Sequence, residues 1–462
     1  MDQKIAVLFM PDNIACTEEK TPLMLQPILF CPVLTWMCAE LCGRGIERLF
    51  IVSDVSAQER MKPYLPKEAD VTFVDGAKHA EELLKLLEGE TGSILIVNGV
   101  VLPVGVFSGG AVYSAPADAC CDVLREHGAF AAFPKGCEIS KGFLPVGDAE
   151  ELRAAQPMCR QKIMEKHLAN GVIVMDTNSV YIDPRVKIGA GTTLLPGTIL
   201  RGETVIGEHC TIGPNAMVRD CTVGDFTEIN ASQTNESAIG SHTTVGPFAY
   251  VRPNSTIGDH VKVGDFVEIK NSVIGNGTKI SHLTYVGDSD CGERVNFGCG
   301  TVTTNYDGFR KYRCTIGDDS FIGCNTNLVA PVKVGEGSYI AAGSTITDDV
   351  PADALALARM KQTVKEGWAA RRRALLGKKQ REILAKFTET KHLPIPVDQQ
   401  FIDAVNTLLS GMESVELPVD ELHKAMASWS PCAPDEFKAR LTDWIDRHTS
   451  GHDKSKVRIV IK

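Results

Sequence analysis

The 462-residue sequence lacks any apolar run long enough to cross a membrane as a helix. The apolar run near its start, within Met1–Met10, is too short for a secretory signal peptide, and we expect a first β-strand there instead. These two absences predict a cytoplasmic protein that does not insert into a membrane.

Positive charge is also scarce, because 58 acidic residues outnumber 48 lysines and arginines. The net charge of -10 gives no electrostatic support to nucleic-acid binding. Small basic pockets for phosphorylated metabolites are compatible with this balance.

The 15 cysteines contain no C-x-x-C pair and no cluster with the spacing of metal ligands. Cys120 and Cys121 are adjacent, and most of the others are isolated. We therefore expect reduced thiols, several of them small buried residues, and no metal site built from cysteine.

What the sequence has in abundance is one short pattern, an aliphatic residue followed by glycine, which recurs from about Val172 to about Thr347 at intervals near six residues or a multiple of six. The pairs are Ile188-Gly189, Ile206-Gly207, Ile212-Gly213, Val223-Gly224, Ile239-Gly240, Val245-Gly246, Ile257-Gly258, Val263-Gly264, Ile274-Gly275, Ile316-Gly317, Ile322-Gly323 and Val334-Gly335. A hexapeptide period predicts a parallel β-helix, in which each triangular coil has three short strands. We expect the glycines, with Asp225, Asn276 and Asp318, to occupy tight corners where φ is positive or backbones crowd.

The rest of the chain divides by composition and periodicity. Residues 1–148 alternate strands and helices, which favours an α/β domain with a parallel sheet. The predicted elements there are strands at Lys4–Met10, Arg48–Ser53, Val71–Val74 and Ser93–Asn98 and helices at Pro32–Gly43 and His79–Glu90. We predict a linker helix at residues 149–170 and the β-helix at residues 171–347. A C-terminal arm is expected at residues 348–376, and a small helical domain of unknown role at residues 377–462.

The C-terminal part carries no repeat and no glycine-rich loop. Its predicted elements are a basic helix-prone stretch at Lys365–Arg381, helices at Val397–Gly411, Pro418–Ala427 and Pro434–His448, and a strand at Val457–Ile461. Charged amphipathic helices usually only pack, so an interaction or capping module is the favoured interpretation.

The hexapeptide register breaks between Gly298 and Gly317. The stretch T-V-T-T-N-Y-D-G-F-R-K-Y-R in that interval is too long and too polar for one coil, and it predicts a loop extruded from the rod. Just before it, His282 and Tyr285 lie three residues apart on a predicted strand and corner. A break of this kind in a regular repeat is a candidate functional loop.

Six motifs between Gly171 and Trp368 carry a resemblance to a known family. They are V-R-P-N-S-T-I-G, G-D-F-V-E-I-K-N, S-H-L-T-Y-V-G-D, V-N-F-G-C-G-T-V-T-T-N-Y-D-G, L-V-A-P-V-K-V-G-E-G-S-Y-I-A-A-G and A-R-M-K-Q-T-V-K-E-G-W. This series closely resembles the acetyltransferase half of the bifunctional N-acetylglucosamine-1-phosphate uridyltransferase / glucosamine-1-phosphate N-acetyltransferase (GlmU) family. The resemblance implies a left-handed β-helix, a homotrimer with active sites in grooves between rods, and acetyl-coenzyme A as co-substrate. The implied reaction is N-acetylation of glucosamine-1-phosphate, which supplies UDP-N-acetylglucosamine and cell-wall (peptidoglycan) precursors.

The resemblance also implies roles for individual residues. His282 matches the catalytic base, and a side chain that titrates near neutral pH suits removal of a proton from an amine; a purely structural corner histidine is the alternative. The residues implied for the sugar phosphate are Arg252, Lys270, Tyr285, Asn296 and Lys311. Those implied for acetyl-coenzyme A are Cys299, Asn305, Tyr306, Cys324, Ala342 and Arg359. Cationic side chains suit a phosphate dianion, although a solvated surface charge is the alternative for Lys311.

Two of these positions depart from the usual pattern of the family. Cys324 stands where the family usually has serine, and Cys299 replaces another small residue. A thiol donates hydrogen bonds weakly, so Cys324 is expected to bind the thioester oxygen less well than serine. Packing is the favoured interpretation of the thiols, and a covalent acetyl-cysteine relay is the alternative.

Residues 1–148 resemble the Rossmann-like nucleotidyltransferase half of the same family much less well. The glycine-rich loop that would hold nucleotide phosphates is replaced by a stretch containing Glu18 and Glu19, and Leu23 stands at a lysine position. Asn98 occupies the place of a magnesium-binding aspartate. We predict a degenerate domain without catalysis, so that Mg²⁺ is needed only if the uridyltransferase half is active. The rival hypotheses are a bifunctional enzyme that keeps this activity and a non-catalytic trimeric scaffold or regulator.

Overall fold

The structure is a computed structural model that describes residues 4–10, 21–67, 69–105, 110–130, 132–393, 396–410, 413–451 and 457–461. It divides the chain into two compact units, Met1–Met360 and Lys361–Lys462. The bounds of the five predicted segments stay predictions. In the part of the chain that is described, no helix combines the length and the apolar character needed to cross a membrane.

The first unit begins with a six-stranded sheet in which four strands run parallel. In spatial order the six strands are Asp70–Asp75, Arg48–Ser53, Ile5–Phe9, Ser93–Asn98, Val112–Pro116 and Glu138–Ile139. The predicted α/β domain is confirmed, but the sheet is mixed, because its last two strands pair antiparallel. The helices of this region are Val33–Gly43, Val55–Met61, His79–Leu87 and Ala117–His127, with short 3₁₀ turns at Leu23–Leu25, Lys62–Tyr64 and Gly76–Lys78. Two small strand pairs complete it, Pro27–Ile28 with Cys31–Pro32 and Val100–Leu102 with Leu144–Val146.

The helix Ala149–Ala169 connects this region to the repeats. It begins where the Asp148 side chain accepts hydrogen bonds from the amides of Glu150 and Glu151, at 2.9 and 2.8 Å. Such a cap satisfies backbone donors that the first helical turn leaves without partners. Leu152, Cys159 and Ile163 are buried in one apolar cluster that continues from the first sheet into the repeat region.

The repeat region is a left-handed parallel β-helix, as predicted. Its three faces are parallel sheets, here called sheets 1, 2 and 3 in the order in which the chain visits them. Sheet 1 contains Ile173–Val174, Thr193–Leu194, Thr211–Ile212, Glu228–Ile229, Thr244–Val245, Lys262–Asp265, Lys279–His282, Asn296–Phe297, Phe321–Ile322, Tyr339–Ile340 and Leu355–Ala356. Sheet 2 contains Tyr181–Ile182, Ile199–Arg201, Met217–Arg219, Gln233–Asn235, Tyr250–Val251, Glu268–Lys270, Tyr285–Gly287, Val302–Thr304, Asn327–Val329 and Thr345–Ile346. Sheet 3 contains Lys187–Ile188, Val205–Ile206, Thr222–Val223, Ala238–Ile239, Thr256–Ile257, Val273–Ile274, Ser289–Cys291, Cys314–Ile316 and Val332–Val334.

Three corners join these sheets. The first corner joins sheet 1 to sheet 2, the second joins sheet 2 to sheet 3, and the third joins sheet 3 to sheet 1 of the next coil. The glycine after each aliphatic residue is explained by crowding: a Cβ on Gly240 would lie 2.5 Å from the Gly258 carbonyl carbon. Buried threonines tie successive coils together, since the hydroxyls of Thr227 and Thr243 donate to main-chain oxygens one coil away, at 2.7 and 2.8 Å.

Positive φ angles occur beside the polar corner residues Asp225, Asn276 and Asp318 rather than on them, whereas two of the predicted corner glycines, Gly213 and Gly246, have φ angles of 109° and 104°. Asp225 instead accepts the Glu208 amide at 2.8 Å, and the positive φ of 57° belongs to Phe226. Asn276 and Asp318 behave in the same way, each accepting a main-chain amide of the preceding coil. These polar residues therefore stabilise the third corner through side-chain hydrogen bonds between coils.

The second unit contains four helices and one two-stranded sheet among its described residues. The helices are Trp368–Thr390, Gln399–Ser410, Val419–Ala427 and Pro434–His448. The predicted terminal strand Val457–Ile461 is present, and it pairs in parallel with Glu413–Leu417, which the sequence did not predict. Parallel strands require a long crossover, and the two helices between these strands supply it.

Candidate active site on the second face of the β-helix

His282 lies at the first corner, at the end of the strand Lys279–His282. Asp265 is its register partner one coil earlier. The Nδ1 atom of His282 lies 2.5 Å from the Asp265 Oδ1 atom, so the carboxylate accepts the Nδ1 proton and leaves Nε2 as a free proton acceptor. The hydrogen bond with His282 also holds the pKa of Asp265 below its usual value. The His282 side chain is 58% exposed, so a substrate can reach it.

The first corner continues from His282 as a line of small residues, one in each successive coil. The registers of sheet 1 align His282 with Cys299, Cys324 and Ala342 in turn. With neighbouring strands about 4.8 Å apart, this line extends about 14 Å from His282. Cys324 and Ala342 are exposed and Cys299 is half-buried. Cys324 does not pack into the core of the rod, because its side chain is exposed, and the roles of both thiols stay predictions.

Arg359 lies at the far end of the same corner. It is exposed, and a Cβ on Gly343 would lie 3.7 Å from its Cδ atom. Since Gly343 directly follows Ala342, the guanidinium group of Arg359 can reach the end of the line of small residues. The corner therefore runs from an imidazole to a cation.

The second corner gathers three cations. Arg252 and Lys270 occupy equivalent positions in successive coils, and Lys311 comes from the loop that follows Asn305. A hydrogen bond with Lys270, together with the charges of Lys270 and Arg252, lowers the pKa of Lys311. Arg252 donates to Glu268 at 2.8 Å. Cations held this close together favour an anion beside them.

A buried carboxylate organises this corner. Asp288 is only 4% exposed, and its oxygens accept from Lys270 at 3.2 Å, from the Asn271 amide at 2.5 Å and from the Asn305 amide. Burial opposes ionisation of Asp288, but the hydrogen bonds from Asn271, Lys270 and Asn305 outweigh it, so its pKa is lowered. The Asn305 amide also donates to the Tyr285 hydroxyl at 3.4 Å.

The predicted loop around Asn305–Lys311 lies between the strands Val302–Thr304 and Cys314–Ile316. It is closed by the Asp307 carboxylate, whose Oδ1 atom accepts the amides of Phe309 and Arg310 at 2.7 and 2.6 Å. The main chain then pairs again across Tyr306 and Lys311. This turn returns Lys311 to the second corner.

The predicted site residues lie in three places, which are the first corner, the second corner with sheet 2, and sheet 1. Most of those implied for the sugar phosphate border sheet 2, whose outer face connects the two corners. The strand Tyr285–Gly287 of sheet 2 lies between the two corners and spans roughly 7 Å at the usual rise per residue. Asn296 instead lies on sheet 1, in register with Lys279 and Phe321.

Two residues implied for acetyl-coenzyme A also lie away from the first corner. Asn305 is 8% exposed and belongs to the second corner, and the exposed Tyr306 donates its hydroxyl proton to the Gly308 oxygen at 2.5 Å. The roles given to Asn296, Asn305 and Tyr306 stay predictions.

Sequence reasoning missed three carboxylates that contact predicted residues. Asp265 precedes His282 by 17 residues, Glu268 follows Arg252 by 16, and Asp288 follows Lys270 by 18. Each separation is close to one coil of the β-helix. The coil period was therefore the signal that could have found these partners.

The first sheet offers a different kind of site. Its parallel strands end at a cleft of about 340 Å³ that is lined by Phe9, Ser53, Asp54, His79 and Asn98, among others. The stretch that replaces the glycine-rich loop of the family, with Glu18 and Glu19, falls within residues 11–20, which lie outside the described residues. Asp54 caps a helix by accepting the Ser56 amide at 3.2 Å, and Asn98 carries no charge, so Asp54 supplies the single carboxylate among the described lining residues. Within the described ranges, no group of three or more His, Cys, Asp or Glu side chains is placed to hold a metal ion.

Known proteins match the repeat region. Residues 185–220, 236–271 and 313–348 fit the family described as bacterial transferase hexapeptide (six repeats). The chain is 47% identical over 250 residues to a "Bifunctional protein GlmU" of Geobacillus sp., covering 54% of each chain. It is 53% identical over 233 residues to a protein of the same name from Caldanaerobacter subterraneus, covering 50% of this chain and 51% of the relative. A solved UDP-N-acetylglucosamine acyltransferase of Arabidopsis covers 61% of this chain and 97% of its own, at 19% identity and a TM-score of 0.27, which is too low to support an argument.

The chain thus spans about half the length of the curated relatives it matches. The resemblance inferred from the sequence motifs is confirmed over that half: the chain is related there to the bifunctional GlmU proteins, and its matched segments are transferase hexapeptide repeats.

Proposed function

We propose that this chain transfers the acetyl group of acetyl-coenzyme A to the amine of glucosamine-1-phosphate. The observation that carries the proposal is His282, an imidazole with a free Nε2 atom, on the same face of the rod as a corner with three cations. An N-acetyltransferase for a sugar phosphate needs these two features, a base and an anion site, at a separation that the acceptor can bridge.

The acceptor lies along the outer face of sheet 2. Its phosphate binds Arg252, Lys270 and Lys311, because charge-assisted hydrogen bonds are stronger than neutral ones and favour a dianion. The sugar ring crosses Tyr285, and its amine points toward His282. The strand Tyr285–Gly287 between the two corners spans roughly 7 Å, and the side chains of Arg252 and Lys270 extend several ångströms from the backbone.

The donor lies along the first corner. Small side chains at Cys299, Cys324 and Ala342 leave room for the pantetheine arm, and the exposed guanidinium group of Arg359 suits the phosphates of coenzyme A. The acetyl carbonyl then lies at the His282 end of the corner. The amine nitrogen attacks this carbon while Nε2 of His282 takes a proton from the amine. Collapse of the intermediate breaks the carbon–sulfur bond, and the leaving thiolate receives the proton held on His282, which gives free coenzyme A and restores the base.

The proposal includes a homotrimer. Asn296 lies on sheet 1, across the first corner from sheet 2, so a neighbouring rod can supply its side chain to the site. Phe248, Phe266 and Leu283 support this arrangement, because they expose 61, 57 and 57% of their surface at the first corner. Apolar surface of this kind favours a partner.

The proposal also includes a cytoplasmic location and a role in supplying UDP-N-acetylglucosamine for cell-wall precursors. Both rest on the resemblance to the GlmU proteins over about half of their length.

A thiol-release assay with acetyl-coenzyme A and glucosamine-1-phosphate tests the reaction. We expect His282→Ala to lower kcat by about 10²- to 10⁴-fold, the usual contribution of a general base. The melting temperature should change little, because the side chain is 58% exposed. Absence of wild-type turnover, or equal rates for the two proteins, would contradict the proposal.

A further inference from the structure

Asp265 and His282 are fixed to each other by the backbone as well as by their side chains. Their strands pair in parallel register, and the Leu283 amide donates to the Asp265 carbonyl oxygen at 3.0 Å. The carboxylate and imidazole meet at 2.5 Å, and they are 38% and 58% exposed. The pair is therefore a rigid feature at the surface of the first corner.

Two aspartates of the third corner have a different role. The carboxylates of Asp225 and Asp318 accept main-chain amides at 2.8 and 2.9 Å and so hold successive coils together. The Asp265 carboxylate is directed at a side chain instead.

We propose that Asp265 is a positioning residue for the acetyl transfer, which holds the His282 ring with its proton on Nδ1 and its free Nε2 atom toward the amine. This inference rests on the proposed function of the site. It adds a residue that acts only through His282 and does not touch the substrate.

The physical reason is the tautomerism of imidazole. A neutral ring carries its proton on either nitrogen, and the form with the proton on Nε2 cannot accept the amine proton there. A carboxylate beside Nδ1 selects the productive form and fixes the ring plane. After proton transfer the same carboxylate stabilises the imidazolium cation.

The kinetic test compares Asp265→Ala and Asp265→Asn with wild type. We expect Asp265→Ala to lower kcat about tenfold with KM for both substrates within about twofold, since orientation of the base affects the transition state more than binding. Asp265→Asn should also lower kcat, because an amide carries no charge to stabilise the imidazolium, and its N–H group can donate to Nδ1 and so select the form with the proton on Nε2. The control is Asp319→Asn, which alters an exposed ion pair with Arg294 at the third corner and should leave both constants unchanged.

A double-mutant cycle separates positioning from structural damage. If Asp265 acts through His282, adding Asp265→Ala to His282→Ala should cause no further loss of kcat. An equal loss in both backgrounds, a rise in KM without a fall in kcat, or wild-type kcat in Asp265→Ala would each overturn the inference.

A readout without turnover distinguishes this inference from the proposed function. An imidazole N–H bound to a carboxylate gives a downfield proton resonance, expected in wild type and in Asp319→Asn and absent in Asp265→Ala and His282→Ala. Its absence from wild type would overturn the pairing even if acetyl transfer is found. If the resonance is present but the protein does not acetylate glucosamine-1-phosphate, the proposed acceptor is wrong and the pairing of Asp265 with His282 stands.

Discussion

The two corners that border sheet 2 have similar backbones but carry different functional groups. The first corner carries one carboxylate–imidazole pair, followed by small residues in successive coils. The second concentrates three cations around the buried carboxylate of Asp288. In the proposed reaction the second corner determines how tightly the acceptor binds, and the first determines how fast it reacts. Substitutions at the two corners should therefore affect different kinetic constants.

The largest effect should come from removing a cation of the second corner. We expect Arg252→Ala to raise KM for glucosamine-1-phosphate by about 10- to 100-fold, which corresponds to loss of one charge-assisted hydrogen bond. The value of kcat should remain within about twofold, because the base is untouched. Arg294→Ala at the third corner is the matched control, since Arg294 forms an exposed ion pair there. A fall in kcat at constant KM would remove the proposed distinction between the corners.

A smaller effect is expected on stability from Asp288→Asn. The pKa of Asp288 is lowered below 3.8, so the ionised carboxylate stabilises the folded chain fully above pH 3.8 and loses that contribution as the pH falls through the lowered pKa. At pH 7 we expect the variant to lose about 1–2 kcal/mol of unfolding free energy. Denaturant unfolding of both proteins between pH 3 and 7 measures this, and a gap that widens in acid would contradict the assignment.

The smallest effect is expected at the first corner, from Cys324→Ser. A hydroxyl donates a stronger hydrogen bond than a thiol, so kcat should rise about twofold if Cys324 faces the thioester oxygen. Cys432→Ser in the second unit provides the control. A covalent acetyl-cysteine intermediate predicts the reverse, a large loss of activity, with acetylated Cys324 detectable by mass spectrometry in the wild type.

Much of the rod could be predicted because its signal is local. The aliphatic–glycine pairs determine the period, and the break after Gly298 indicates the loop that returns Lys311 to the second corner. Side-chain contacts between coils were harder to predict from the sequence. The two partners are 16 to 18 residues apart, and this separation varies with the length of the corner between them. Asp265 and Asp288 were missed for that reason, although the motifs containing them were noticed.

Two strand pairings outside the rod were also not predicted from the sequence. Val112–Pro116 pairs antiparallel with Ser93–Asn98, and Glu413–Leu417 pairs with the terminal strand. These strands are short, and their partners are set by tertiary packing rather than by a local pattern. Asn296 was assigned to the sugar-phosphate pocket by resemblance, but only the sheet topology reveals that it lies on another face.

The threonine hydroxyls and parallel ladders that join successive coils have one more consequence. Each coil position is held by main-chain hydrogen bonds, so a corner side chain can be exchanged while its neighbours keep their places. Reactive groups attached to such a frame are preorganised, and little conformational entropy is lost when substrates bind. Cys299 and Cys324 are two such positions, since each is a corner side chain in a separate coil.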